Sequence, residues 1–347
     1  MDKIADIADY RDAIRVPSLI KASQLQGGSP EIFIDNNGME DLVQYSGGYC
    51  VVFPFKVTNE KFAVRCWWQY LEDAQYRSKQ ISEYLSHINL PYFVEFKYVE
   101  EGIATQQGVM PLVVMEWVDA KTLKDYIEEH LNDKSALEAL NNNFFNMVKD
   151  LHKNHISHGD LQHGNIMVKM DGSIILVDYD SMYIPSLSGK KNLIAGLGGY
   201  QHPLRWKQKV MSEKSDYFSE LIIYTSILAL KECPSLWDTL QMKDTDTMVF
   251  SDADIKSGGF TPIFNQLREY DNLKYFVDVI VNELGISSLD SLMSLEEIVK
   301  GNVTIDDVLD EMSDEWNNPI FSTVDPNKDQ GPSYDIKDVE DVSKEWQ

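Results

Sequence analysis

His158-Gly159-Asp160-Leu161-Gln162-His163-Gly164-Asn165 is followed by two short apolar runs and then by Asp178-Tyr179-Asp180. The runs, Ile166 to Val168 and Ile174 to Val177, flank the turn dipeptide Asp171-Gly172 and read as a β-hairpin. That hairpin brings Asp160, Asn165 and Asp178 to the ends of two paired strands. Two carboxylates and a carboxamide gathered there offer oxygen ligands to Mg²⁺ beside a group that acts on a hydroxyl. Acidic and amide residues at loop edges ordinarily only cap turns. Here Asn165 follows Asp160 by five positions and Asp178 follows Asn165 by thirteen, a fixed mutual spacing that makes coincidence a poor account of the three.

Outward from the hairpin the chain changes character. The first sixty-five residues read mainly as strands: Glu31 to Ile34 and Val51 to Val57 are apolar or β-branched, with turn chemistry at Asp35, Asn36, Asn37 and Gly38. Phe62 to Trp67 is a further strand. Asp73 to Ile88 has helical spacing, with Tyr76, Ile81, Tyr84, Leu85 and Ile88 near one face, and Tyr92 to Val99 and Leu112 to Trp117 return to strand character. Beyond Leu123 the period is helical, most clearly over Leu123 to Leu131, Ser135 to His152, Ser215 to Leu230, Leu273 to Leu284 and Leu295 to Lys300. The fold class is therefore α+β, a small sheet lobe followed by a larger helical lobe.

On these residues the sequence resembles the protein kinase superfamily, in its eukaryotic-like serine/threonine form with a divergent His-Gly-Asp catalytic loop and Asp-Tyr-Asp metal motif. Met115-Glu116-Trp117-Val118 resembles the hinge between lobes, and Lys121 to Ile127 the helix after it. Gly199-Tyr200-Gln201-His202-Pro203 is similar to the end of an activation segment, and Ser215 to Ser219 to the start of the buried central helix. The resemblance covers about residues 40 to 285. It implies a two-lobed kinase fold: extension 1–39, N-lobe 40–117, C-lobe 118–300 and acidic tail 301–347.

The resemblance also implies an ATP site of Gly47, Gly48, Val52, Ala63, Arg65, Glu83, Met115, Glu116 and Val118, with main-chain groups of Glu116 and Val118 at the adenine. Mg²⁺ falls to Asn165 and Asp178, and Asp160 faces the acceptor hydroxyl. Several positions depart from the pattern. Only Gly47 and Gly48 remain in the phosphate-covering loop, and Arg65 stands in place of the third-strand lysine, with Glu83 its expected partner, Glu72 the rival and Lys61 the fallback anchor. Gly159 replaces an arginine that binds activation-segment phosphate, so Ser181, Ser186 and Ser188 are not expected to control activity, unless Lys190 or Lys191 substitutes as the cation. Gln162 replaces a lysine, and Asp180 replaces a glycine, restricting the backbone there.

Composition narrows the remaining choices. Lys plus Arg number 31 and Asp plus Glu 56, a net charge of −25 that disfavours nucleic acid and anionic membranes as partners. Cys50, Cys66 and Cys233 are far apart and read as small buried hydrophobes without disulfide partners, and the acidic N-terminus lacks a signal-peptide pattern, so a cytoplasmic location is expected. His152, His155, His158 and His163 suggest a metal cluster, but separate packing roles account for them better. Gly159-Asp160 and His163-Gly164-Asn165 also resemble metallophosphatase fragments, a reading that leaves the hinge and the thirteen-residue spacing unexplained. Alternation puts one of Trp67 and Trp68 in the sheet core. Residues 301–347 carry 13 acidic and 3 basic side chains, and the last twenty-five or so read as a mobile tail. Three activities fit: phosphorylation of Ser/Thr on a protein substrate or on itself, a nucleotide-binding pseudokinase scaffold, or phosphorylation of a small hydroxylated molecule.

Overall fold

The computed structural model describes residues 3–35 and 38–302. In the small lobe an antiparallel sheet runs in the spatial order β1 (Ser29–Pro30), β5 (Cys50–Val57), β6 (Glu60–Trp67), β8 (Gly108–Glu116), β7 (Phe96–Thr105), with β4 (Tyr45–Ser46) also paired to β5. β2 (Ile32–Ile34) and β3 (Glu40–Leu42) form a separate two-stranded sheet. The turn expected between them falls partly outside the described residues. Pairing of Val52 with Arg65 and of Ala63 with Met115 sets these four side chains on one face of the sheet. Val51, Phe53, Phe55 and Val64 take the other face and are fully buried. Trp67 is buried and Trp68 half-buried, the split that alternation expects.

The buried face is covered by a segment expected to be strand. Helix α1 (Ile7–Ile14) buries Tyr10, Ala13 and Ile14, and the following turns add Ile20, Ala22 and Leu25 to the same core. Their three- and four-residue spacing is helical, and Pro17 ends the run. The segment 1–39, expected as an extension, thus supplies part of the small lobe's core and one strand of its sheet. Gly28 permits the close approach, because a Cβ there would lie 2.5 Å from the Lys56 carbonyl oxygen. Helix α2 (Ala74–Leu85) turns inward Gln75, Arg77, Ser78, Ile81 and Leu85, whereas Tyr76 is exposed. The expected apolar face is only half realised, since part of the helix packs on a polar segment of the large lobe.

In the large lobe β9 (Lys121–Thr122), β10 (Ile166–Val168) and β11 (Ile174–Leu176) form a three-stranded sheet that contains the expected hairpin. Thr122 caps α3 (Leu123–His130), its side chain accepting from Asp125 N, and Asp133 caps α4 (Lys134–Lys153). Helix α5 (Tyr217–Glu232) is apolar on nearly every side and sits at the lobe's centre between α4 and the helix Asp271–Leu284. A short helix, Leu295–Gly301, is the last described element. The expected mobile tail lies outside the described residues, as does all of the acidic tail 301–347 beyond residue 302. Among the described residues no helix is long and apolar enough to cross a membrane. Cys50 and Cys66 are buried free thiols, while Cys233, just past α5, is half-exposed rather than buried, because the chain leaves the core there.

Candidate active site

The loop after α4 is held from beneath. The Gly159 N–H donates to both carboxylate oxygens of buried Asp216 at 3.0 Å, and Ser157 Oγ donates to the same group at 2.9 Å. Arg205 Nη2 donates to the Gly159 carbonyl at 2.7 Å. Asn165 Nδ2 donates to the Asp160 carbonyl at 2.8 Å, and the Val177 N–H donates to the Asn165 carbonyl at 3.0 Å. Those two bonds bring Asp160, Asn165 and Asp178 together as the hairpin spacing expects. Gly159 has φ +78°, and a Cβ on it would lie 2.1 Å from the Ser181 carbonyl oxygen. Its lack of a side chain is required by the close approach of the turn Tyr179–Ser181.

Between the lobes, Gly47, Gly48, Val52, Arg65, Met115, Asp160 and Asp178 line one cleft of about 350 Å³. Cys50, Asp180 and Ile194 line it as well. Ala63 shares the sheet face with Val52 and Met115 without lining the cleft. Glu116 instead borders a separate cavity with Lys61, Trp117 and Asp119, and its N–H donates to the Glu95 carbonyl at 3.2 Å. Its N–H is therefore committed within the fold. Lys61 pairs with Glu31 at 2.9 Å and lies over the Trp117 ring, so the fallback anchor points away from the cleft.

Arg65 is the cation of the cleft. Its side chain is 7% exposed, and its guanidinium pairs with Asp180 and lies 3.9 Å from Asp178 Oδ1. The expected partner, Glu83, is exposed on α2 and accepts from Gln80 Nε2 at 3.2 Å; the rival, Glu72, pairs with Lys191 at 2.9 Å. α2 presents its opposite charge to this region. Buried Arg77 donates Nη2 to the Lys191 carbonyl at 2.7 Å, and Asp180 lies close enough to act on its charge. The anion therefore comes from the turn after β11 and not from the helix.

Burial raises the Asp160 carboxyl above the usual carboxylate range, against the pull of His158 and of the Leu197 N–H, which donates to Oδ1 at 3.1 Å. Desolvation in the cleft floor and the Asp180 carboxylate raise Asp178, with Arg65 opposing. Its side chain is nonetheless 56% exposed to the cleft. Asp178 has φ +64°, so the unusual backbone geometry falls on it, while Asp180 sits in a 3-10 turn where no glycine is needed. Gln162 folds back, its Oε1 accepting from the Gly164 N–H at 2.6 Å.

Among the described residues no three His, Cys, Asp or Glu side chains gather as a metal-binding group. The residues expected to hold a divalent cation are Asp178, which lines the cleft, and Asn165, which is buried beside it with its Nδ2 donating to the Asp160 carbonyl. Such a pair suits Mg²⁺, which takes few protein ligands and completes its shell with phosphate oxygens and water. The four histidines separate. His152 lies between Glu220 and Glu296, His155 meets Glu213, His158 Nε2 meets the Val177 carbonyl, and His163 Nδ1 meets Tyr200 Oη. Burial lowers the His152 pKa, but its two carboxylates outweigh this and raise it to about 9.

The segment from Asp178 to Pro203 is tied to both lobes. Lys190 pairs with Asp73 at 2.8 Å and Lys191 with Glu72 at 2.9 Å, both beside α2. Ser181 is buried, whereas Ser186 and Ser188 are exposed. Sequence reading missed Arg77 and Arg205. The signal for Arg205 was its position two residues after Pro203, and for Arg77 its place between apolar helix positions.

A family model described as Protein kinase domain matches residues 46–272. Serine/threonine-protein kinase PAK 1 of Mus musculus is 28% identical over 108 residues. The match covers 31% of this chain and spans 20% of that relative's length.

Proposed function

This chain belongs to the protein kinase family, and from that premise we propose that it transfers the γ-phosphoryl group of ATP to Ser or Thr hydroxyls of a protein, itself included. The observation that carries the reading is the meeting of Arg65, Asp160 and Asp178 around one cleft, with Asn165 bonded to Asp160. Arg65 binds phosphate oxygens, Gly47 and Gly48 cover them, and Val52 and Met115 flank the base, backed by Ala63 on the same sheet face, with the Glu116 carbonyl and the Val118 backbone at its edge. Asp178 and Asn165 hold Mg²⁺, which neutralises phosphate charge when bound. Asp160, its affinity for a proton raised by burial, orients the acceptor hydroxyl and takes its proton. The ordered segment between Asp178 and Pro203 favours a protein acceptor over a small molecule. A cytoplasmic setting accords with the free cysteines.

Two observations favour the scaffold reading: Arg65 is already paired with Asp180, and Asp160 already accepts the Leu197 N–H. Incubation of the pure protein with ATP and Mg²⁺, followed by mass spectrometry, separates the two. Phosphate should appear on the protein or on added protein substrates, and Asp160→Asn should slow its appearance by roughly 10²- to 10⁴-fold while ATP binding persists. Absence of transfer in the parent protein would leave the scaffold.

A further inference from the structure

Charge is unevenly placed along this chain of net charge −25. Between Ser181 and Lys214 the cations are Lys190, Lys191, Arg205, Lys207, Lys209 and Lys214, and the sole anion is Glu213. Lys190 and Lys191 are neutralised by Asp73 and Glu72, and Arg205 is buried. Lys214 donates to the carbonyls of Asp290 and Leu292 at 2.7 and 3.2 Å. Lys207 and Lys209 remain, exposed and without an ion pair to any described residue. Trp206 is 52% exposed and Val210 46% exposed on the same stretch.

These side chains sit on a fixed mount. The turn Pro203–Lys207 is fastened to the catalytic loop by Arg205, at the residue before Asp160. Lys209 accepts at its carbonyl from the Asn192 N–H at 2.9 Å, and the Met211 N–H donates to the Lys190 carbonyl at 2.9 Å. The platform is thus continuous with the segment whose Leu197 N–H reaches Asp160.

We propose that Trp206, Lys207 and Lys209 receive an acidic polypeptide segment and present its hydroxyl to Asp160. The proposal rests on the reading of the chain as a protein phosphotransferase and names the acceptor class. Carboxylates of the segment meet the two lysines, and an apolar side chain lies against Trp206 and Val210. A short acidic segment feels the local cations within a screening length of about 8 Å. A long polyanion such as nucleic acid would also meet the repulsion of the rest of the molecule, which favours the peptide.

The test uses three peptides of equal length with one serine each, flanked by acidic, neutral or basic residues. Turnover is measured with the parent protein, and binding by fluorescence anisotropy with Asp160→Asn. The acidic peptide should exceed the neutral one by about tenfold in kcat/KM and in affinity, with both advantages shrinking as salt rises. Lys207→Glu combined with Lys209→Glu should reverse the order in favour of the basic peptide, a gain that misfolding cannot imitate. Equal use of all three peptides, or an oligonucleotide that displaces the acidic peptide at lower concentration, would overturn the proposal. If no peptide is phosphorylated yet the acidic one binds through Lys207 and Lys209, the docking surface stands and the phosphotransfer reading falls.

Discussion

Arg65 occupies a position where a buried cation must find an anion, and the anion it finds is 115 residues away. No sequence spacing points to that pair, because Asp180 reaches Arg65 only after the hairpin has folded back under the small lobe. Asp160, Asn165 and Asp178 were legible since their mutual placement depends on one local hairpin. Removing one partner of a buried ion pair costs about 3 kcal/mol, and here Asp178 at 3.9 Å takes up part of the loss. Asp180→Asn should therefore lower the melting temperature without ligand by about 4 °C. ATP should raise it by more than in the parent, since its phosphates supply the missing anion. Glu83→Gln, on the exposed face of α2, should change neither value. Melting curves with and without nucleotide read both effects, and an Asp180→Asn deficit that ATP leaves untouched would remove Arg65 from the phosphate site.

At the scale of elements, α2 and the segment after Asp178 act as one unit. Two exposed ion pairs contribute little by themselves, because water and salt screen them. Buried Arg77, bonded to the Lys191 carbonyl and next to Met211, contributes more because its charge cannot return to water. The segment's position is held by residues built into the chain, through Lys190, Lys191 and the bond from Arg77 to the Lys191 carbonyl. Accordingly Ser186→Ala and Ser188→Ala should leave turnover unchanged, whereas Arg77→Met should reduce it about tenfold. Arg77→Lys should recover part of the rate, and ATP-induced stabilisation should persist in all four variants. A large loss from either serine change would assign control to phosphorylation. Helix α2 was visible as a helix but only the Ile81 and Leu85 part of its inward face was, because an amphipathic pattern marks contact with an apolar core and α2 packs partly against charge. Helix α1 was obscured for a different reason: it is short, and its acidic residues mask the spacing of Tyr10, Ala13 and Ile14.

Taken whole, the chain carries a strongly negative net charge, and on the proposed reading its cleft admits an anion. On the proposed reading, the net charge of −25 would repel ATP over distances that dissolved salt screens, while Arg65 would attract it only once it is inside. Long-range repulsion governs the approach and short-range attraction governs the stay, so salt should act on the two rates differently. Raising ionic strength from about 0.02 to about 0.2 M should speed ATP association about two- to threefold, with a smaller effect on its dissociation. The acidic acceptor proposed for Lys207 and Lys209 should respond with the opposite sign, because its encounter is steered by local cations. Stopped-flow measurement with a fluorescent ATP analogue and a labelled acidic peptide on the same protein provides the comparison. Opposite salt slopes are expected. An ATP association rate that falls with salt would mean that the cations of the cleft, and not the field of the whole molecule, already govern the encounter at long range.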